Sequence, residues 1–330
     1  MASKILDPRV LDMDFETEVE RIGSSLRDIL RSKLHRRGLV VALSGGIDSS
    51  VSGALSVRAL GSSKVFGLLL PETDSSDESL SRGKALAEHL GIDYLICDIA
   101  PALEAVGCYS WRDEAIRNVF PQYSAGWRNK IVLSGGLEGQ INHFKLVVED
   151  PQGKRIEKRL PLRDYLQIVA ATNFKQRIRK TLEYFHADRL NYAVVGTPNR
   201  LEYDQGFFVK NGDGSADVKP IAHLYKTQVY NLARHLGLPD EICSAAPTTD
   251  TYSLAQGQDE FYFALPYQQM DMALWGLNNG VSAAELAPAL GITEQQADLV
   301  YRDIETKRKT TRYLHSRAYL VGEVPEMVQD

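Results

Sequence analysis

Cysteine is scarce in this chain: 330 residues hold three, Cys97, Cys108 and Cys243, an odd number with no CxxC pair. That excludes a disulfide framework and a structural zinc site, and it predicts a reducing compartment, the cytoplasm. No apolar run approaches the roughly 20 residues that span a bilayer, and the N-terminal MASKILDPRVLDMDFETEVE lacks the apolar core of an export signal. Neither sign of charge dominates. With 38 Lys and Arg against 43 Asp and Glu, a net charge of -5, the balance argues against a nucleic-acid or anionic-membrane partner and leaves small molecules as the expected ones. A hydrophobic content of 44% over this length excludes disorder and supports a large core.

What the chain does carry is a short apolar run, Val40-Val41-Ala42-Leu43, that ends in Ser44-Gly45-Gly46-Ile47-Asp48-Ser49-Ser50. Val51, Ala54, Leu55 and Val57 follow at helical spacing. A strand, a glycine turn and a helix N-terminus in that order make an anion site, because the glycines permit close backbone approach and the first helical N–H groups have no intrahelical acceptor. Ser44, Ser49 and Ser50 add hydroxyls, and Asp48 adds a carboxylate able to hold magnesium beside phosphate. The lysine that a Walker A loop requires is missing.

Residues 14–36 are amphipathic, with Phe15, Val19, Ile22, Leu26, Leu30 and Leu34 on one face, and predict a helix. Strands are expected at 65–70, 94–97 and 192–195, with a helix over 79–90 closed by Gly91. Runs that are apolar throughout and alternate with helices predict an α/β fold, a doubly wound parallel sheet with helices on both faces. Ligands of such sheets gather at the C-terminal strand ends. The alternating stretch from His143 and its Pro151-Gln152-Gly153 turn predict an inserted β-hairpin at about 142–162. From Tyr225 the period is helical through Val229, Leu232, Leu286, Leu290, Val300 and Ile304, so 225–330 is expected to be a helical C-terminal part. Without repeats or linkers, one domain over 1–330 is the expectation.

Two further segments carry charge in an order that suggests chemistry. Asn173 to Lys180 is strongly cationic, while Phe174, Ile178, Leu182 and Phe185 form an apolar stripe. Gly196 to Asp217 packs carboxylates, glycines and a lysine with little apolar periodicity and reads as loop. Lys219 to Thr227 leads into the next helix.

Taken in order, SGGIDSS, NFKQRIR, GTPNRLE, GFFVKNGDGSADVKPIAHLYKTQV and Pro247-Thr248-Thr249-Asp250 resemble the motifs of the ammonia-dependent NAD synthetases, amide ligases of the N-type ATP pyrophosphatase group. The resemblance runs from about residue 15 to 310, apart from the insert. It implies an adenine nucleotide alpha hydrolase-like fold and ATP held by Ala42, Leu43, Ser44, Gly45, Gly46, Ile47, Asp48, Ser49, Thr197, Lys226 and Thr248. It further implies Mg²⁺ on Asp48 and Glu202, with Asp48, Glu202 and Lys226 serving catalysis. Asn173, Arg177, Lys210, Asp213, Asp217 and Lys307 would meet deamido-NAD. The reaction implied is attack of a carboxylate on the α-phosphorus of ATP, then amination by ammonia, with no enzyme nucleophile. No fused glutaminase is expected, so ammonia is free or comes from a separate protein. A homodimer is also implied.

Three departures bear on the acid that is amidated: the insert, Pro198 with the residues around Glu202, and Thr306-Lys307 where the family has His-Lys. Aromatics in Thr251 to Pro266 replace a more acidic family stretch. They keep open an alternative, a related ligase acting on a different small carboxylate. A sulfur-transferring pyrophosphatase would want a reactive cysteine pair and a basic RNA face, and a sensor would lose Asp48, Glu202 or Lys226.

Overall fold

The structure, a computed structural model, describes residues 6–134, 143–247, 252–254, 257, 262, 263, 265–322 and 324. Its strands are β1 (Leu39–Ala42), β2 (Val65–Leu69), β3 (Asp93–Ile96), β4 (Arg128–Ser134), β5 (His143–Glu149), β6 (Arg155–Arg159) and β7 (Ala193–Val194). β1, β2, β3 and β7 form one parallel sheet in the order β3-β2-β1-β7, with Leu39 opposite Val65 on one side and Ala193 on the other. Alternate residues of β1 face opposite ways, and Leu39, Val40 and Val41 are fully buried, which is why the run shows no polar positions.

Two layers of helices cover the sheet. On one face Leu39 and Val41 meet α1 (Phe15–Asp28), α2 (Ile47–Leu60), α3 (Asp77–Leu90) and α8 (Lys226–His235). On the other, Val40, Leu68 and Val194 meet α5 (Cys108–Val119) and the 29-residue α6 (Leu162–Leu190), after the short α4 (Ala100–Ala105). The doubly wound architecture is therefore as expected. The helix expected over 14–36 continues from α1 through a wider turn at Ile29–Leu34 and stops at His35, whose left-handed φ of 51° breaks the spiral.

The hairpin β5–β6 lies where the alternating stretch predicts it, but a third strand widens it. β4 pairs antiparallel with β5 along its whole length, giving a separate sheet β4-β5-β6. A second departure lies in the segment read as loop, where α7 (Arg200–Gln205) forms. Asn199 caps it by accepting from Leu201 N (3.0 Å) and Glu202 N (3.2 Å), and Glu202 Oε2 accepts from Asn199 N at 3.2 Å.

The C-terminal part is helical, with α9 (Asp240–Cys243), α10 (Tyr267–Asn278), α11 (Ala283–Leu290) and α12 (Glu294–His315) packed around Met270, Leu274, Leu286 and Val300. Among the described residues no helix is long and apolar enough to cross a membrane. Asp271 of α10 caps α8 from outside: its carboxylate accepts from Lys226 N (3.2 Å), Thr227 N (2.6 Å) and Thr227 Oγ1 (2.6 Å).

Burial pushes the Asp271 carboxyl up to about 6, against the downward pull of those hydrogen bonds. Its folded pKa thus lies above the unfolded value, so its contribution to stability is full below pH about 4 and is lost as pH rises through about 6. In urea titrations the stability difference between wild type and Asp271→Asn is expected to move in favour of Asn by roughly 2–3 kcal/mol from pH 4 to pH 7. A move in favour of aspartate would show that the three hydrogen bonds outweigh burial.

Candidate functional site

β1 is followed outward by β2 on one side and flanked by β7 on the other, so strand order reverses at β1. A cavity of about 480 Å³ opens at that point, lined by Ala42, Leu43, Ser44, Gly45, Gly46, Ile47, Asp48 and Ser49, with Thr197 and Pro198 after β7. The shape of the loop is forced. Gly45 has φ 75°, and a Cβ there would stand 2.2 Å from the Ser79 carbonyl oxygen. Arg82 Nε donates to the Gly45 carbonyl at 3.1 Å, fastening the turn to α3.

Ser44 Oγ and Ser49 Oγ lie 3.1 Å apart beside the loop. Ser50, expected as a third hydroxyl for an anion, is fully buried and donates to the Gly46 carbonyl at 2.8 Å. No described side chain caps α2, so the positive end of its dipole faces the cavity with its first amides.

Opposite the loop, Lys226 Nζ donates to Asp48 Oδ2, and Asn199 Nδ2 donates to Asp48 Oδ1 at 3.1 Å. Because Asn199 also caps α7, the same residue sets Glu202 beside Asp48. Lys226 is 2% exposed. Burial pulls its pKa down, but the charges of Asp48 and Glu202 outweigh that and hold it above the ordinary lysine range, so it stays cationic. Two carboxylates against one ammonium leave a net negative charge, which fits a divalent cation arriving with phosphate. Among the described residues no three His, Cys, Asp or Glu side chains gather as a metal nest. Magnesium at Asp48 and Glu202 would accordingly take its other ligands from phosphate and water.

A third wall is α6. Asn173, Gln176, Lys180 and Glu183 line the cavity at helical spacing, facing Asp213. Lys180 and Glu183 are buried and paired at 2.6 Å. Burial pushes the carboxyls of Glu183 and Asp213 up, although Asp213 Oδ1 accepts from Val209 N at 2.8 Å. Sequence reasoning passed over Lys180 and Glu183, yet their i+7 and i+10 spacing from Asn173 puts them on its face.

Four expected substrate residues stand outside this lining. Arg177 Nε donates to the Lys210 carbonyl (3.2 Å), and Lys210 Nζ donates to the carbonyls of Tyr313 and Ser316, both at 2.8 Å. Asp217 accepts from Val194 N at 2.7 Å and Tyr184 Oη at 3.3 Å, closing the edge of β7. Lys307 donates to the Tyr262 carbonyl and to Asp303; burial lowers its pKa, and Asp303 counters that. Thr248 lies outside the described residues. Lys175, the motif lysine, is buried against Glu72 (3.0 Å) and Asp74 (2.5 Å) beneath the loop that follows β2.

The family model described as NAD synthase matches residues 18–122 and 147–313 and passes over 123–146, which hold β4 and the start of β5. An NH(3)-dependent NAD(+) synthetase of Rhizobium meliloti (strain 1021) is 58% identical over 318 residues, 96% of this chain and 95% of that relative. One of Mesorhizobium japonicum is 56% identical over 318 residues, 96% of this chain and all of that relative. The solved structure of an NMN synthetase from Francisella tularensis overlays with a TM-score of 0.65 at 22% identity, covering 94% of this chain and 99% of that one, a likeness of fold.

Gly45→Ala meets a left-handed φ and a backbone carbonyl at once. Calorimetric titration with ATP is expected to show affinity lowered roughly tenfold or more. Unchanged affinity would show that α3 yields and that the loop shape is not imposed by Ser79.

Proposed function

Since the chain belongs to the NAD synthase family, we propose that it adenylates the nicotinate carboxylate of deamido-NAD with ATP and aminates it with ammonia, giving NAD, AMP and pyrophosphate. The observation that carries this reading is the convergence of Asp48, Glu202 and Lys226 on the glycine loop at the switch point. In the first step a carboxylate oxygen attacks the α-phosphorus and the bond to the bridging oxygen of the β-phosphate breaks. Negative charge grows on the departing pyrophosphate, where Lys226 and the first amides of α2 are already oriented, so little reorganisation is needed. Asp48 and Glu202 would hold Mg²⁺, which when bound compensates phosphate charge.

In the second step the lone pair of ammonia attacks the acyl carbon, AMP leaves and nitrogen gives up a proton. Both reactants are held, so the enzyme supplies proximity rather than a covalent intermediate. Asn173 and Asp213 would meet the dinucleotide inside the cavity. Arg177, Lys210, Asp217 and Lys307 would meet it beyond the lining, where a homodimer would add a second subunit. The reaction is assigned to the cytoplasm, to one domain over 1–330, and to ammonia that is free or handed over by a separate protein.

Purified protein with ATP, Mg²⁺, ammonium and deamido-NAD is expected to form NAD and AMP in equal amounts; neither product would sink the reading. Asp48→Asn should lower pyrophosphate release by roughly 100-fold or more while leaving the thermal midpoint within a few degrees. Undiminished release would remove Asp48 from the reaction.

A further inference from the structure

Another part of the cavity lining is built differently. Phe144 of β5 and Tyr165 of α6 line it with their rings stacked, centroids 4.2 Å apart and planes 16° from parallel, and both are only half-buried. Tyr252 also lines the cavity and shares a cluster with them. We infer that Phe144 of the insert completes with Tyr165 and Tyr252 an aromatic wall that takes a flat heteroaromatic ring of a nucleotide substrate, with Asn129 holding Tyr252 in place.

The hold on Tyr252 is specific. Asn129 N donates to Ser253 Oγ at 2.8 Å, Leu254 N donates to the Asn129 carbonyl at 3.1 Å, and Asn129 Nδ2 reaches Tyr123 Oη at 2.9 Å and Ser253 Oγ at 3.3 Å. Asn129 is 1% exposed, and its Oδ1 has no partner among the described residues. A buried amide with an unmet acceptor is a costly way to fill a core position. What it provides here is a fixed place for the residues on either side of Ser253.

Asn129 and Phe144 fall within 123–146, the stretch that the family model passes over, whereas Tyr165 and Tyr252 fall within its matched residues, so Phe144 is what the insert adds to the wall. Its chemistry complements that of the glycine loop. Amides, Lys226 and serines suit phosphate, while an apolar aromatic surface suits the ring that a nucleotide carries at the far end from its phosphates. That ring is the adenine of ATP or a ring of deamido-NAD. The inference rests on the proposed reaction, and the measurements separate the two.

Phe144→Leu keeps the apolar volume and removes the ring. It is expected to raise the KM of ATP or of deamido-NAD about tenfold, with the thermal midpoint little changed and Phe144→Tyr restoring the wild-type value. The substrate whose KM rises identifies the ring. Ser253→Ala, made outside the wall, is expected to raise the same KM. Should Phe144→Leu fail to fold, Ser253→Ala decides alone. KM values within twofold of wild type for both substrates overturn the inference, as does a fall in kcat and thermal midpoint with both KM values unchanged. If wild type forms no NAD, calorimetry with ATP alone and deamido-NAD alone still decides: equal affinities of wild type and Phe144→Leu for both ligands overturn the wall.

Discussion

The ion pair between Lys226 and Asp48 joins positions 178 residues apart and fixes how the two halves of the chain meet. Asp48 sits in the first turn of α2 and Lys226 at the start of α8, so one contact brings two helix N-termini to the same sheet edge. Lys226 is buried while Asp48 borders the cavity, so the ammonium depends on the carboxylates of Asp48 and Glu202 for its counter-charge. Asn199 and Asp271 extend the arrangement, one holding the Asp48 carboxylate and starting α7, the other receiving the first amides of α8. The catalytic geometry proposed for the site is therefore also the means by which the C-terminal helices dock on the sheet.

A second buried network shapes the opposite lip of the cavity. Lys175 pairs with Glu72 and Asp74, Arg112 pairs with Asp74, and Tyr109 Oη donates to Glu72 Oε2 at 2.8 Å. Arg179 Nε adds a hydrogen bond to the Leu70 carbonyl at 3.2 Å. Together they set the chain just after β2, where Leu70, Pro71 and Ser75 face the cavity. Of the cationic run on α6, Lys175 thus pairs with carboxylates, Arg179 and Lys180 both line the cavity, the former holding the Leu70 carbonyl, and Arg177 reaches the Lys210 carbonyl outside the lining.

The sheet was legible because burial on both faces leaves no polar position in β1 or β2, and the loop because strand, glycines and helix follow without a break. β4 was not. Its buried positions are Asn129 and Ile131, and an asparagine inward spoils the alternation that marks a half-buried strand. α7 was hidden by its brevity, since six residues cannot display a helical period, although the Asn199 and Glu202 spacing that caps it was in plain view. Asp217 and Lys210 were read as substrate groups, while their placement on backbone N–H and carbonyl groups is a tertiary fact that no spacing reports. The trans-cap from Asp271 is of the same kind.

α6 is a single unbroken helix of 29 residues, and its cavity-lining part, from Tyr165 to Glu183, spans about 27 Å. Side-chain repacking cannot alter the separation of its two ends, because each residue adds a fixed rise. The reach of the cavity is consequently counted in residues, so inserting or deleting a turn of α6 changes the length of molecule that fits, whereas substitutions along it change only what that molecule touches.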